Sequence, residues 1–182
     1  MIKQLICVTI LGSVVVQAQD FFYVGVNVEN GMSGKHEVSE DFGRNRTLAK
    51  ENIDSLFSSG IDIGFFMSTI GGRGSGTSFE LSYNRLSIDN DNIDQFGIDL
   101  IGRFDNNLIF VPYLGGGLTF NNLKGTSDDD DGTGLRLRAG FYYDVIESLE
   151  LGVEFNVHSI KWKTENNLDY DSFYYGVKCC FK

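Results

Sequence analysis

The chain has 182 residues, of which 42% are hydrophobic, and its formal net charge at pH 7 is −10. This acidity argues against nucleic acid as a partner, because phosphates repel an acidic surface. Two of the three cysteines, Cys179 and Cys180, are neighbours that face opposite ways on a strand, so no disulfide framework is predicted.

The first 18 residues predict a secretory signal peptide. Lys3 supplies a positive charge, an apolar run extends from Leu5 to Val16, and Val16-Gln17-Ala18 provides a cleavage site before Gln19. Residues 19–182 then form one domain. No later stretch approaches the roughly 18 consecutive apolar residues of a membrane helix, so the exported chain is expected to be either soluble or a barrel.

The first half of the mature chain contains four segments in which apolar and polar residues alternate, as in strands whose two faces meet different surroundings. In chain order these segments cover residues 21–29, 56–67, 79–84 and 95–104. Their connections are predicted to be a long polar loop over residues 30–54, a glycine-rich turn over 71–76 and a short tip over 89–92.

The second half contains four more alternating segments, at residues 108–121, 135–144, 149–159 and 172–181. In the segment 135–144, Leu135, Leu137 and Phe141 share one face, while Arg136 and Arg138 lie on the other. Loops are predicted over residues 122–133 and 161–171, with a turn over 145–148.

Charged residues on the polar face are unsuited to a soluble core, and they predict an all-β, eight-stranded antiparallel up-and-down transmembrane β-barrel with lipid outside. We expect Leu137, Phe155 and Val177 to face lipid. Long and short connections alternate as in outer-membrane barrels. A secreted lipocalin-like barrel would reverse the two faces, and the pattern alone leaves that alternative open.

Aromatic residues are expected to form a girdle at one end of the barrel, where amphipathic rings settle at headgroup level. The ten residues assigned to this periplasmic end are Phe21, Phe22, Phe65, Phe66, Phe104, Phe110, Tyr113, Phe141, Tyr143 and Phe181.

Three segments carry a family resemblance. Residues 110–118, with Pro112, Tyr113 and three glycines, resemble a strand of the OmpA-like outer-membrane β-barrel superfamily, and residues 137–155 are similar to its next hairpin. The terminal strand resembles the signal that the barrel assembly machinery recognises, although Lys182 follows its final Phe181. The resemblance implies the bacterial outer membrane, and no peptidoglycan-binding domain accompanies it.

Eight charged residues are predicted to point into the lumen, where they must pair because an isolated buried charge is too costly. They are Asp62, Glu80, Asp99, Arg103, Arg136, Arg138, Glu154 and Lys178. A structural salt-bridge network is the favoured interpretation, in which Arg136 or Arg138 pairs with Glu80, Asp99 or Glu154. A gated ion path is the alternative.

Two further groups are candidate sites. Some barrels of the resembled kind deacylate lipid A with a His and a Ser on one strand face, but His158 and Ser159 are adjacent and face opposite ways, so catalysis is not expected. Asp128 to Asp131 lack the spacing of a calcium loop and predict a solvated acidic loop. Neither a cofactor nor a metal is predicted.

The expected function is therefore that of a non-enzymatic integral outer-membrane protein, acting in envelope integrity or surface interaction through loops 30–54, 122–133 and 161–171. The expected partners are outer-membrane lipid and lipopolysaccharide, the barrel assembly machinery and a surface ligand, without nucleic acid. A small channel is the alternative within the membrane class.

Overall fold

The computed structural model describes residues 20–42, 45–52, 56–68, 75–88, 91–104, 109–124, 130–163 and 169–182. The predicted signal peptide, residues 1–18, lies outside them. The strands are β1 (Phe21–Phe42), β2 (Asn45–Asn52), β3 (Leu56–Ser68), β4 (Gly76–Ile88), β5 (Asp91–Arg103), β6 (Phe110–Lys124), β7 (Asp130–Ile146), β8 (Leu149–Trp162) and β9 (Asp169–Phe181). Among the described residues there is no helix with the length and apolar character needed to cross a bilayer.

The sheet closes on itself. Each strand from β3 to β9 is antiparallel to the next, and β1 pairs with β3 along one edge and with β9 along the other. Strand β2 pairs with the far half of β1, from Lys35 opposite Asn52 to Phe42 opposite Asn45. The predicted eight-stranded antiparallel up-and-down barrel is confirmed, with β2 as an addition to it.

Alternation along each strand separates two faces of opposite character. On β7, Leu137 is 62% exposed while the next residue, Arg138, is 1% exposed. Phe155 and Val177 are likewise exposed, and Glu154 and Lys178 are buried. Because the interior is polar and the exterior apolar, the lipocalin-like alternative is wrong.

The prediction of a long loop over residues 30–54 is wrong for most of that range. Strand β1 continues to Phe42, and β1 and β2 together form a hairpin. The hairpin extends beyond the last pair between β1 and β9, which is Glu37 opposite Asp169. The alternation of apolar and polar residues could not reveal this hairpin, because strands that leave the apolar layer no longer need one apolar face.

The other two predicted loops are also shorter than expected. Asn122 pairs with Asp131 at the end of β6, and Lys161 pairs with Asp169 at the end of β8. We call the end of the barrel that carries the β1–β2 hairpin the hairpin end. The opposite end, where β1 begins and β9 finishes, is the terminal end, and the turn there between β7 and β8 contains only Glu147 and Ser148.

The predicted aromatic residues lie at the terminal end, but they do not all face outward. Phe66 and Tyr113 are buried in the lumen, whereas Phe22 and Phe110 are exposed. The expectation of a one-sided girdle is wrong, because a second outward aromatic row crosses β4, β5 and β6 near the hairpin end. That row consists of Tyr83, Phe96 and Phe120.

Candidate functional site

The candidate site is the interior of the barrel, which neighbouring strands fill with charged side chains from their inward positions. All eight charged residues predicted to point inward are almost fully buried: Asp62, Glu80, Asp99, Arg103, Arg136, Arg138, Glu154 and Lys178. Seven of them form one connected set, and Arg103 lies apart from it.

Arg138 is the centre of the connected set. Its Nη1 lies 2.6 Å from Glu80 Oε2 on β4, and its Nη2 lies 2.6 Å from Glu154 Oε2 on β8. Asp99 Oδ2 on β5 is 3.4 Å from Nη1. The planar guanidinium therefore serves carboxylates from three strands, which a compact ammonium group could not do with the same geometry.

Lys178 on β9 links Asp62 on β3 to Glu80 on β4. Its Nζ lies 3.0 Å from Asp62 Oδ2 and 2.9 Å from Glu80 Oε2. Asn27 Nδ2 donates a second hydrogen bond to Asp62 Oδ2 at 3.1 Å. Charges from both sides of the closure seam between β1 and β9 thus meet inside the barrel.

Arg136 occupies the level of the lumen next to Arg138. It pairs with Asp99 and donates from Nη2 to Ser82 Oγ at 2.6 Å. The inward position opposite Ser82 is Gly97, and a Cβ built there would lie 2.6 Å from Arg136 Nη2. A side chain at this position would displace the guanidinium or the Ser82 hydroxyl from the contact between them.

Arg103 belongs to a separate cluster at the terminal end. Its Nη1 lies 3.0 Å from Glu150 Oε2, and Lys182 Nζ lies 2.8 Å from Glu150 Oε1. The Arg103 guanidinium carbon stands 4.3 Å from the ring centroid of Tyr142, within the range of a cation–π contact. The expectation of one network of eight residues is therefore replaced by a network of seven and a second ion cluster.

Several lumenal groups were absent from the predicted set. Tyr23 donates its hydroxyl to Glu80, and Tyr113 donates its hydroxyl to Glu154 Oε2 at 2.5 Å. Glu29 is also buried beside the network. The sequence did contain a signal for these residues. Each lies on the polar face of its strand, which is the face that points into the lumen.

Apolar side chains lie at both ends of the charged layer. The cluster towards the terminal end consists of Tyr23, Phe66, Ile101, Tyr113, Tyr142 and Cys180. The cluster towards the hairpin end consists of Leu56, Leu86, Ile93, Ile160, Tyr170 and Tyr174. An eight-stranded barrel has an interior just wide enough for side chains to fill. Here the seven-residue network lies between two apolar clusters, and the cluster towards the terminal end packs around the separate Arg103–Glu150 pair.

His158 and Ser159 do not form a base and nucleophile. The ring is buried, its Nδ1 lies 3.2 Å from Gln95 Nε2, and it meets the Tyr174 ring edge-on at a centroid distance of 5.2 Å. Ser159 lies on the opposite, outward face of β8. Since the hydroxyl and the imidazole are separated by the barrel wall, they cannot exchange a proton directly.

The acidic run Asp128 to Asp131 lies partly outside the described residues. The described side chain of Asp131 accepts a hydrogen bond from Asn122 Nδ2 at 3.0 Å and lies 3.6 Å from Lys163 Nζ. Within the described ranges, no group of three or more His, Cys, Asp or Glu residues is arranged to hold a metal ion.

Comparison with known proteins gives a family match over nearly the whole chain. The family described as "outer membrane protein beta-barrel domain" matches residues 5–181. No curated protein matches the chain by sequence.

Solved structures with the same fold share little sequence with the chain. Neisserial surface protein A is 22% identical with a TM-score of 0.58, and the match covers 88% of this chain and 98% of that one. The N-terminal barrel domain of Pseudomonas aeruginosa OprF is 17% identical with a TM-score of 0.52, covering 86% and 96%. PagL, described as an outer-membrane enzyme, is 12% identical with a TM-score of 0.53, covering 85% and 97%.

Proposed function

Because the chain belongs to the outer-membrane protein β-barrel family and lies in the bacterial outer membrane, we propose that it is a closed, non-enzymatic barrel that acts through its outer surface. The observation that carries this proposal is the filled lumen. The seven charges of its network are paired with one another, and apolar clusters lie above and below them.

The energetics of the lumen favour a plug over a pore. Removing one member of a buried ion pair leaves an uncompensated charge, which costs about 3–5 kcal/mol. Arg138 contacts both Glu80 and Glu154 at 2.6 Å, so opening a polar path between them would break several such contacts together. A static channel would instead leave these groups in contact with water.

The β1–β2 hairpin is the part of the described chain best placed for contacts outside the membrane. In outer-membrane barrels the longer connections are extracellular, so we assign the hairpin end to the outside of the cell. Strand β1 continues for five residues beyond Glu37, its last residue paired with β9. At about 3.3 Å per residue, the hairpin extends roughly 16 Å beyond that pairing.

Catalysis is not supported by the interior. PagL has a similar fold, but an identity of 12% carries fold similarity alone. In this chain the single His–Ser neighbour pair of β8 is divided between the two faces of the wall. We therefore place the function on the outer loops and the hairpin.

Recordings in planar bilayers test the plug. The wild-type protein should show no large steady conductance, and neither should Glu154→Ala, in which the network loses one carboxylate but both apolar layers remain. The variant should unfold at lower denaturant concentration, whereas Val157→Ala on the outward face of the same strand should differ little. Large steady conductance in the wild type would contradict the proposal and establish the small-channel alternative.

A further inference from the structure

The outward face of the barrel changes character abruptly near the hairpin end. Tyr83 lies opposite Phe96, and Phe96 lies opposite Phe120, so three aromatic residues form a row across β4, β5 and β6. The Tyr83 and Phe96 rings are 5.0 Å apart between centroids. Rows of this kind mark the level at which hydrocarbon meets headgroups.

One pleat beyond the aromatic row lies a polar row on the same outward face. Arg85 lies opposite Asp94, Asp94 opposite Asn122, and Asn122 opposite Asp131. Lys163, the residue directly after β8, continues the row, and its backbone N–H donates to the Asp131 carbonyl at 3.1 Å. The polar row therefore follows the barrel wall over four neighbouring strands and the residue that follows β8, at headgroup level.

Cations outnumber anions on this part of the wall. Arg85 and Lys124 both contact Asp94, at 3.1 Å and 2.5 Å, and Lys163 contacts Asp131 at 3.6 Å. The side chains of Arg85, Lys124 and Lys163 nevertheless remain more than half exposed.

Lys161 adds a fourth exposed cation opposite Thr133, at the level of the aromatic row. We call Arg85, Lys124, Lys161 and Lys163 the basic rim. Lys161 also lies opposite Asp169 on β9. Four positive charges against Asp94, Asp131 and Asp169 leave a surplus of one, in a chain whose net charge is −10.

A concavity of about 280 Å³ joins the apolar and polar rows. Phe96 and Phe120 line its apolar part, and Asn122, Asp131 and Lys163 line its polar part. The combination suits an amphipathic molecule that presents an anionic head to the polar row and a hydrocarbon chain to the rings.

We propose that the basic rim binds the phosphate of a phosphorylated lipid in the surrounding leaflet, with an acyl chain in the concavity over Phe96 and Phe120. Lysine ammonium groups recognise phosphate as point charges, and each cation near an anionic lipid surface strengthens binding. The terminal end has no equivalent surface among the described residues, because Lys182 lies between Asp144 and Glu150, at 2.6 Å and 2.8 Å. The site does not depend on whether the lumen conducts.

Native mass spectrometry of the protein released from phosphatidylcholine nanodiscs containing lipid A tests this site. Wild-type protein should retain lipid A, and retain monophosphoryl lipid A, which has one phosphate fewer, more weakly. The double variant Lys124→Gln/Lys163→Gln should lose roughly tenfold in retention. Lys182→Gln makes the same chemical change at the terminal end and should retain lipid as the wild type does.

A gain-of-binding variant separates recognition from stability. Asp131→Asn removes the carboxylate that competes for Lys163, so it should retain more lipid A than the wild type. Inorganic phosphate in excess should leave the lipid bound, because it cannot occupy the apolar part of the concavity. Equal retention by the wild type and the double variant, reduced retention by Asp131→Asn, or complete displacement by inorganic phosphate would each overturn the proposal.

Discussion

Two carboxyl groups in the lumen share one donor. Asn156 Nδ2 donates to Glu154 Oε1 at 2.9 Å and also to Glu29, which brings two acidic side chains to the same amide. Glu154 is compensated by Arg138, whereas Glu29 has no ion-pair partner within the part of the chain that the structure describes. The two residues therefore differ in what their charge contributes, although both are buried glutamates on inward positions.

Substitution by glutamine should reveal this difference. Glu29→Gln keeps an oxygen to accept from Asn156 and removes a like charge beside Glu154, so the free energy of unfolding should stay unchanged or rise. Glu154→Gln loses charge-assisted hydrogen bonds to Arg138 and should lower the free energy of unfolding by roughly 2 kcal/mol. Urea titration followed by the fluorescence of Trp162, the single tryptophan, measures both. Equal losses in the two variants would contradict this account.

At the scale of the strand, the face on which a residue lies decides the consequence of adding a charge. Leu137 lies outward near the middle of β7, and Thr133 lies outward on the same strand towards the hairpin end. The hydrocarbon layer penalises a charge most strongly at its midplane and little near its surface.

Leu137→Arg should therefore lower the free energy of unfolding in bilayers by about 2–4 kcal/mol, while Thr133→Arg should lower it by about 0–1 kcal/mol. Unfolding of both variants in lipid vesicles gives the comparison on one strand, with the same introduced side chain. A similar penalty at both positions would place Leu137 away from the midplane.

Alternation explains which structural features could be predicted from the sequence. The burial of Arg138 and the exposure of Leu137 follow from the period of two along a strand. This prediction stays correct even when the ends of the strand are predicted wrongly. The pairing of Arg103 with Glu150 could not be predicted in this way, because period two gives the face and not the height along the barrel. The β1–β2 hairpin was missed for another reason, since outside the bilayer no face of a strand must be apolar.

At the scale of the whole molecule, the hairpin and the barrel are separable. Residues 35–52 contribute no member of the seven-residue lumenal network, and β1 pairs with β3 only through residues 21–30. Removing residues 35–52 also removes the three pairs that Lys35, His36 and Glu37 make with β9, and leaves ten pairs of that seam in place.

A variant lacking residues 35–52 should therefore fold into a barrel. Its unheated form should run at a different gel mobility from its heated form, as is typical of a folded outer-membrane barrel, and it should remain in the detergent phase on partitioning. A variant lacking Phe173 to Phe181 removes most of β9 and should show a single mobility, because the barrel cannot close. A single mobility in the hairpin variant would show that the hairpin is part of the barrel's folding unit.

The seam between β1 and β9 also determines when the molecule can finish folding. Val24 lies opposite Phe181, so the backbone groups on the second edge of β1 can form their hydrogen bonds only after β9 has been added. Contacts between residues so distant along the chain form slowly, because the loss of chain entropy precedes any gain from pairing. Until then β1 and β8 each present an unpaired edge, and such edges join other copies readily. The interval between export and closure is therefore the period in which aggregation competes with folding, and its length depends on how quickly β9 reaches β1.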